Sequence, residues 1–291
     1  MKCQLPVLLF AIMAFQSCKK NEDQPSNSEA KINFIFKFDS TQARLNAIGQ
    51  PSVIASGNAG QSPRFNKMSA HYLELAPTAF TALGAGAVLY HAPEVSTGGA
   101  TAIDFSKAKF AGNNEIFLSI PIKSFAAGPY SWIRVSLAYQ NYNVYVNGMG
   151  QTIDATVASF IGYRTYLGSF KIKDSTIIVN GNRAQGYWAT EASAFGFGMV
   201  QSGQAPAGAT TVPNPIFATS PIPAGSCVVT GQFASPLVVS GNETADINIV
   251  VSLSTNKSFE WKDMDSNGRF DPLNGDSVVD MGIRGLIPIK Q

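Results

Sequence analysis

The chain has 291 residues, 45% of them hydrophobic and only 14% charged, with 21 lysines and arginines against 19 aspartates and glutamates. That length is enough for one large domain or two ordinary ones, each with a sizeable core. The near-balance of charge, without any basic block, excludes nucleic acid as a partner, because a phosphate backbone is bound by an excess of Lys and Arg.

Behind Lys2, residues Leu5 to Phe15 (LPVLLFAIMAF) form an unbroken apolar run too short to span a bilayer as a permanent helix, which reads as a secretion signal. The run ends at Phe15-Gln16-Ser17-Cys18, and Lys19-Lys20-Asn21-Glu22-Asp23 follows. The two segments together resemble the lipobox and charged export tag of Bacteroidota-type surface lipoproteins, although Phe15 and Gln16 depart from the usual Leu-Ala/Ser. The resemblance implies that residues 1–17 are removed, that Cys18 carries the lipid, and that the protein is held in the outer membrane and exposed at the cell surface. Each acyl methylene moved into the bilayer is worth about 0.8 kcal/mol, so two or three chains on Cys18 anchor the protein without a spanning helix. Residues 18–30 then serve as a polar tether and 31–291 as the folded domain. With Cys3 in the signal and Cys18 lipidated, Cys227 remains as a lone core cysteine in a strand-like run.

In Lys31 to Asp39 (KINFIFKFD), Ile32, Phe34, Phe36 and Phe38 fall on one face, the period of a strand with one buried side. From Ser40 to Met68 the pattern dissolves into Gly, Asn, Ser, Pro and Gln, which predicts a long surface excursion. Further strands are expected at 71–75, 87–91 and 115–122. Another is expected at 130–139, with Ile133, Val135, Leu137 and Tyr139 on a common face. The phrase Gly128-Pro129-Tyr130-Ser131-Trp132-Ile133-Arg134 resembles the G-x-Y-x-x-I-R strand start of several β-sandwich surface lipoproteins. Asn180-Gly181-Asn182 predicts a tight turn joining 173–180 to 183–190 in a hairpin. Two more strands follow at 226–233 and 245–254, the latter with Ile247, Ile249, Val251 and Leu253 on one face. No helical period persists beyond about two turns. The fold class is therefore mainly β, an antiparallel β-sandwich. The Pro- and Gly-rich stretch 203–225 either crosses the surface of a single domain or divides two sandwiches.

The most specific chemistry lies in Asp263 to Asp280 (DMDSNGRFDPLNGDSVVD). Asp263, Asp265 and Asn267 place oxygen donors at alternate positions, Gly268 permits a sharp turn, Arg269 can offer its carbonyl and Asp271 stands at the ninth position. This resembles the first nine positions of an EF-hand calcium loop. At the twelfth position Asn274 replaces the usual glutamate, and the flanks look extended rather than helical, so a calcium ion here would stiffen a β-connection, with Asp276 or Asp280 completing its shell. Between Glu260 and Asp280, six acids stand against only Lys262 and Arg269. The alternative is a loop of Asx-turns in which the same side chains bond their own backbone.

For catalysis, HExxH, G-x-S-x-G, P-loop and dinucleotide motifs are all missing. His71 and His91 each precede a glutamate by three residues, but i and i+3 on one strand face opposite sides, so strand-end histidines bonding backbone are expected rather than a zinc site. Glu74, Glu94, Asp104, Glu115 and Glu191 supply carboxylates that a polysaccharide hydrolase would need in pairs. Tyr139, Tyr142, Tyr187 and Trp188, beside Gln140, Asn141 and Asn143, combine ring faces with amides as a sugar-binding surface does, or else they pack within strands. Asp39-Ser40-Thr41, Asp174-Ser175-Thr176 and Asp276-Ser277-Val278 resemble O-glycosylation sites of Bacteroidota-type envelopes. The preferred reading is a non-catalytic, calcium-stabilised surface lipoprotein binding a glycan, a surface polymer or a protein partner. A secreted polysaccharide hydrolase and a purely structural envelope or adhesion component are the alternatives.

Overall fold

The structure, a computed structural model, describes residues 29–46, 49–194, 196–205 and 226–291. The signal, Cys18, most of the tether and most of the 203–225 stretch lie outside these residues. The fold is mainly β and sandwich-like. Among the described residues no helix is long and apolar enough to cross a membrane.

Among the described residues the strands form four sheets. The first runs β18 (Leu286–Lys290), β15 (Ile247–Ser254), β1 (Lys31–Asp39), β7 (Glu115–Pro121). The largest runs β13 (Phe197–Gln204), β12 (Tyr187–Ala194), β9 (Gln151–Phe160), β8 (Gly128–Gly148), β3 (Arg64–Ala76), β4 (Ala87–His91), with β14 (Cys227–Val239) also paired to β8. The third runs β11 (Thr176–Ala184), β10 (Arg164–Lys171), β6 (Ala102–Asp104), β5 (Glu94–Val95), and the fourth β17 (Ser277–Met281), β16 (Phe259–Lys262), β2 (Asn58–Gln61).

The first sheet packs on the largest through Ile32, Phe34, Phe36, Ile249, Val251 and Leu253 on one side and Leu75, Ile133, Val135 and Leu137 on the other. The alternation expected in β1 is met, with Ile32, Phe34 and Phe36 at 0% exposure. Each buried phenylalanine contributes about 1.5–3 kcal/mol relative to an exposed one. β1 pairs with β15 in parallel, Ile32 opposite Ile247 through Asp39 opposite Ser254, so both strands present their apolar sets together. This ladder and that of β6 with β10 are parallel; the other described strand pairings are antiparallel, as expected. Because β14 pairs with β8 and β15 with β1, main-chain ladders join the chain on either side of 206–225.

β8 is the central strand, and it extends to Gly148 rather than ending near Tyr139. One of its edges is taken by β3; the other is shared, by β14 up to Leu137 and by β9 from Tyr139 onward. The β3 register passes from Ser69 opposite Tyr139 to Ala70 opposite Leu137, so Ala138 falls outside the ladder. Such a bulge inverts the alternation. Ile133, Val135 and Leu137 therefore face the first sheet, whereas Tyr139 faces a second core with Phe160, Leu167 and Phe170. Tyr142 and Val144 then return to a third core with Phe259, Trp261 and Phe270. The expected common face of Ile133 to Tyr139 breaks at its last member for this reason.

Two other expectations are corrected. The stretch 40–68 is not wholly irregular, since β2 and the first residues of β3 lie within it. Ala59, Phe65 and Met68 are the apolar residues they send to the cores, too few and too widely spaced among Gly, Asn, Gln, Arg and Lys to show a period. The 173–190 segment is not a hairpin: β11 continues through Asn180-Gly181-Asn182 and pairs with β10, while β12 pairs with β9 and β13. Asn180 does adopt a positive φ of 48°, but at an irregularity in the β10–β11 register rather than in a turn. The backbone signal in Asn-Gly was real; its use is a bulge.

Candidate metal and ligand sites

The Asp263 segment is the connection between β16 and β17, which pair Phe259 with Met281 and Lys262 with Ser277. The extended flanks expected from the sequence are these strands. Gly268 takes a φ of 71° and Ser266 one of 57°, producing the tight turn in the loop. Carboxylate oxygens of Asp263, Asp265 and Asp276 lie within 4.8 Å of one another. The remaining expected ligands are placed differently. Asp271 caps a short 3-10 turn, accepting from Leu273 N–H at 3.1 Å and from Asn274 Nδ2 at 2.9 Å. Asn267 donates Nδ2 to Asp265 Oδ2 at 2.7 Å and accepts the Arg269 N–H on Oδ1 at 2.6 Å. The three clustered acids also accept main-chain bonds: Asp263 from Asn267 and Gly268, Asp265 from Asn267, and Asp276 from Met264 and Asp271.

The six-acid cluster read from the sequence is smaller in space. Glu260 meets Arg44 at 2.8 Å and Arg284 at 3.4 Å, and Asp280 meets Arg284 at 2.6 Å, all cations from outside the loop segment or its immediate end. Burial pushes the Asp280 carboxyl above its ordinary value, with Arg284 opposing. Asp263, Asp265 and Asp276 form no ion pair among the described residues.

Of the aromatic residues expected on a sugar-binding surface, Tyr139 and Tyr142 are 1% exposed and Tyr187 is 8% exposed, each packed among other rings of the second and third cores. Alternation around the Ala138 bulge carries both β8 tyrosines inward, so their ring faces cannot stack on a ligand. Trp188 differs. It is half-buried and lies on Gly203 of the neighbouring strand, where a Cβ would come within 2.9 Å of the indole. Its ring lines a cleft of about 480 Å³ bounded by β8, β9, β12 and β13 on one side and by Phe259, Phe270, Pro272 and Asp276 on the other. Thr190, Gln201 and Gln204 add polar groups to an otherwise apolar wall.

The candidate catalytic carboxylates are held mainly by main chain. Glu74 is 1% exposed, accepts N–H from Gly84 at 2.9 Å and Gly86 at 2.7 Å, and faces Arg134. Asp104 accepts the N–H and hydroxyl of Ser106, Glu115 the N–H of Gly112, and Glu191 three successive N–H groups from Lys173, Asp174 and Ser175. Cys227 is buried, and burial pushes its thiol up to about 12, as a core residue requires.

Glu94 stands apart. His71 Nε2 lies 2.9 Å from its Oε1, His91 Nε2 3.5 Å from the same oxygen, and Tyr163 Oη donates to it at 3.3 Å. The expectation that the histidines would be separated from acids assumed continuous strands. In fact β4 ends at His91, Ala92-Pro93 belong to neither strand, and Glu94 begins β5 in another sheet, so His91 and Glu94 converge. His71 lies within β3, not at a strand end. The β3–β8 register passes from Ala70 opposite Leu137 to Tyr72 opposite Ser136, which leaves His71 at a bulge aimed toward Glu94. Burial lowers the His71 pKa to about 4 against the opposing pull of Glu94, so the ring is neutral at neutral pH. Pro93, which breaks the strand pattern after His91, was the sequence signal for this convergence.

Compared with known protein families, curated proteins and solved structures, the chain matches none.

Proposed function

We propose that the chain is a non-catalytic lipoprotein, anchored in the outer membrane through Cys18 and exposed at the cell surface. Its β-sandwich is stiffened by calcium at Asp263, Asp265 and Asp276 and binds its partner in the cleft beside that loop. Among a glycan, a surface polymer and a protein, a glycan fits the cleft best. The observation that carries this reading is the placement of Trp188: its indole rests on Gly203 and lines the cleft, with Thr190, Gln201 and Gln204 nearby to bond hydroxyls. Phe270, Pro272 and Asp276 belong to the aspartate loop and also line the cleft, so an ion bound there would fix one wall of the binding site. The main-chain bonds that hold Glu74, Asp104, Glu115 and Glu191 support a binding role over hydrolysis, because a general acid or nucleophile needs a carboxylate free to face substrate.

The test is a polysaccharide array probed with the calcium-loaded protein and with Trp188→Ala. The reading expects at least one glycan to be retained by the wild type and released by Trp188→Ala, with the melting temperatures of the two proteins close. A folded wild type that retains no glycan, or binding that survives Trp188→Ala, contradicts it.

A further inference from the structure

His71, His91 and Glu94 lie outside both the cleft and the aspartate loop. We propose that they form a binding site for a zinc-class divalent transition ion, with His71 Nε2, His91 Nε2 and Glu94 Oε1 as the protein ligands and a fourth position open to solvent beside Tyr163.

Geometry and donor chemistry carry the assignment. The three donor atoms lie within 4.8 Å of one another. The 2.9 and 3.5 Å separations from Glu94 Oε1 bracket the edge of a tetrahedron built on zinc–ligand bonds of about 2.0–2.1 Å, which is roughly 3.3 Å. Two imidazoles and one carboxylate suit zinc and its neighbours, and calcium, which takes oxygen donors, is selected against.

Main chain, rather than flexible side chains, brings the three together. Ala92 N–H donates to the His71 carbonyl at 2.8 Å and Asp104 N–H to the Pro93 carbonyl at 2.9 Å, tying β3, the link after β4 and β6 to one another. His71 is 0% exposed and its Nδ1 has no hydrogen-bond partner among the described residues, where the hydrogen bond of this buried ring is the one made by Nε2 in the cluster. A buried imidazole with an unsatisfied nitrogen is costly, and such groups persist where they have a use. Tyr72 stacks on the His91 ring at 4.2 Å and Tyr163 lies 5.3 Å from the His71 ring, holding both imidazoles in place. His91 is exposed, which gives an ion a path from solvent. Tyr163 Oη reaches Glu94 Oε1 and the Thr101 carbonyl, so it can orient the carboxylate or a water in the fourth position.

Calorimetric titration of the untagged full chain with Zn²⁺ alone, in excess calcium, tests the site. The same titration is run on His91→Ala and Glu94→Gln, both at solvent-accessible positions, with folding checked by thermal unfolding, and on Asp263→Ala/Asp265→Ala. The expected result is one zinc ion per chain, lost in His91→Ala and in Glu94→Gln and retained in the aspartate variant. No zinc binding by the folded wild type overturns the proposal, as does binding that survives both cluster substitutions or is lost only in the aspartate variant.

Discussion

Glu191 illustrates how a single side chain can hold a fold together and leave a trace in its pH dependence. Its Oε2 accepts N–H bonds from Lys173, Asp174 and Ser175 at 2.9–3.0 Å, closing the turn between β10 and β11. Burial pushes the carboxyl up, but the bonds from Ser175, Lys173 and Asp174 outweigh it and hold the pKa below the ordinary value. A depressed folded pKa contributes stability that is complete above the unfolded value of about 4.3 and lost as pH falls through the folded value. Glu191→Gln, which removes the charge from these bonds, is therefore expected to cost about 1.5–3 kcal/mol at neutral pH. The gap between wild type and variant should narrow below a pH of about 4.3; denaturant titrations at several pH values that give a constant gap would contradict this account. At this scale the sequence identified residue types correctly and their partners poorly. Glu191 and Glu94 were equal as carboxylates, and only the turn at 172–175 and the break between β4 and β5 at Ala92-Pro93 decide that one serves a turn and the other meets two histidines.

Strands show the same division between pattern and placement. β1 and β15 were legible because four apolar residues alternate in each without interruption, and a strand face packed on the core leaves that period in its sequence. β8 was legible only as far as Leu137, because the Ala138 bulge reverses which residues face inward, and a one-residue insertion has no signature in composition. The misread hairpin at Asn180 has the same origin: positive φ serves a turn and a bulge equally well. Close approach between sheets is likewise invisible until they are packed. At Gly231 of β14, opposite Ile133, an added Cβ would collide with the side chain and carbonyl oxygen of Leu286 and lie 2.9 Å from Pro288 Cδ on β18. Gly231→Ala should therefore destabilise the protein by about 1–3 kcal/mol. For a chain of this size that is a fall in melting temperature of about 2–4 °C per kcal/mol. An unchanged melting temperature would show that the two sheets can separate at this point without cost.

The whole molecule is organised by β8, which carries the large sheet and contributes side chains to three cores, and by the β1–β15 ladder, which joins the first described strand to one near the end of the chain. The sandwich class followed from many alternating strands and no helical period; the parallel ladders did not, because pairing partners distant in sequence leave no local mark. If the domain stands on a lipid tether, Cys18→Ala should abolish incorporation of labelled palmitate and move the protein from the membrane to the soluble fraction, whereas unchanged labelling would exclude Cys18 as the anchor. The aspartate loop joins the two ends of the functional account, since it closes the β16–β17 connection and also forms one wall of the Trp188 cleft.

Thermal unfolding of the protein with and without added calcium, beside Asp263→Ala/Asp265→Ala, tests that account most directly. A ligand that binds only the native state stabilises it by about 2.7 kcal/mol at a hundredfold excess over Kd. The account predicts a calcium-dependent rise in melting temperature that the double substitution abolishes. No rise, or a rise of equal size in the substituted protein, would contradict it and leave the loop held by its own Asx-turn hydrogen bonds.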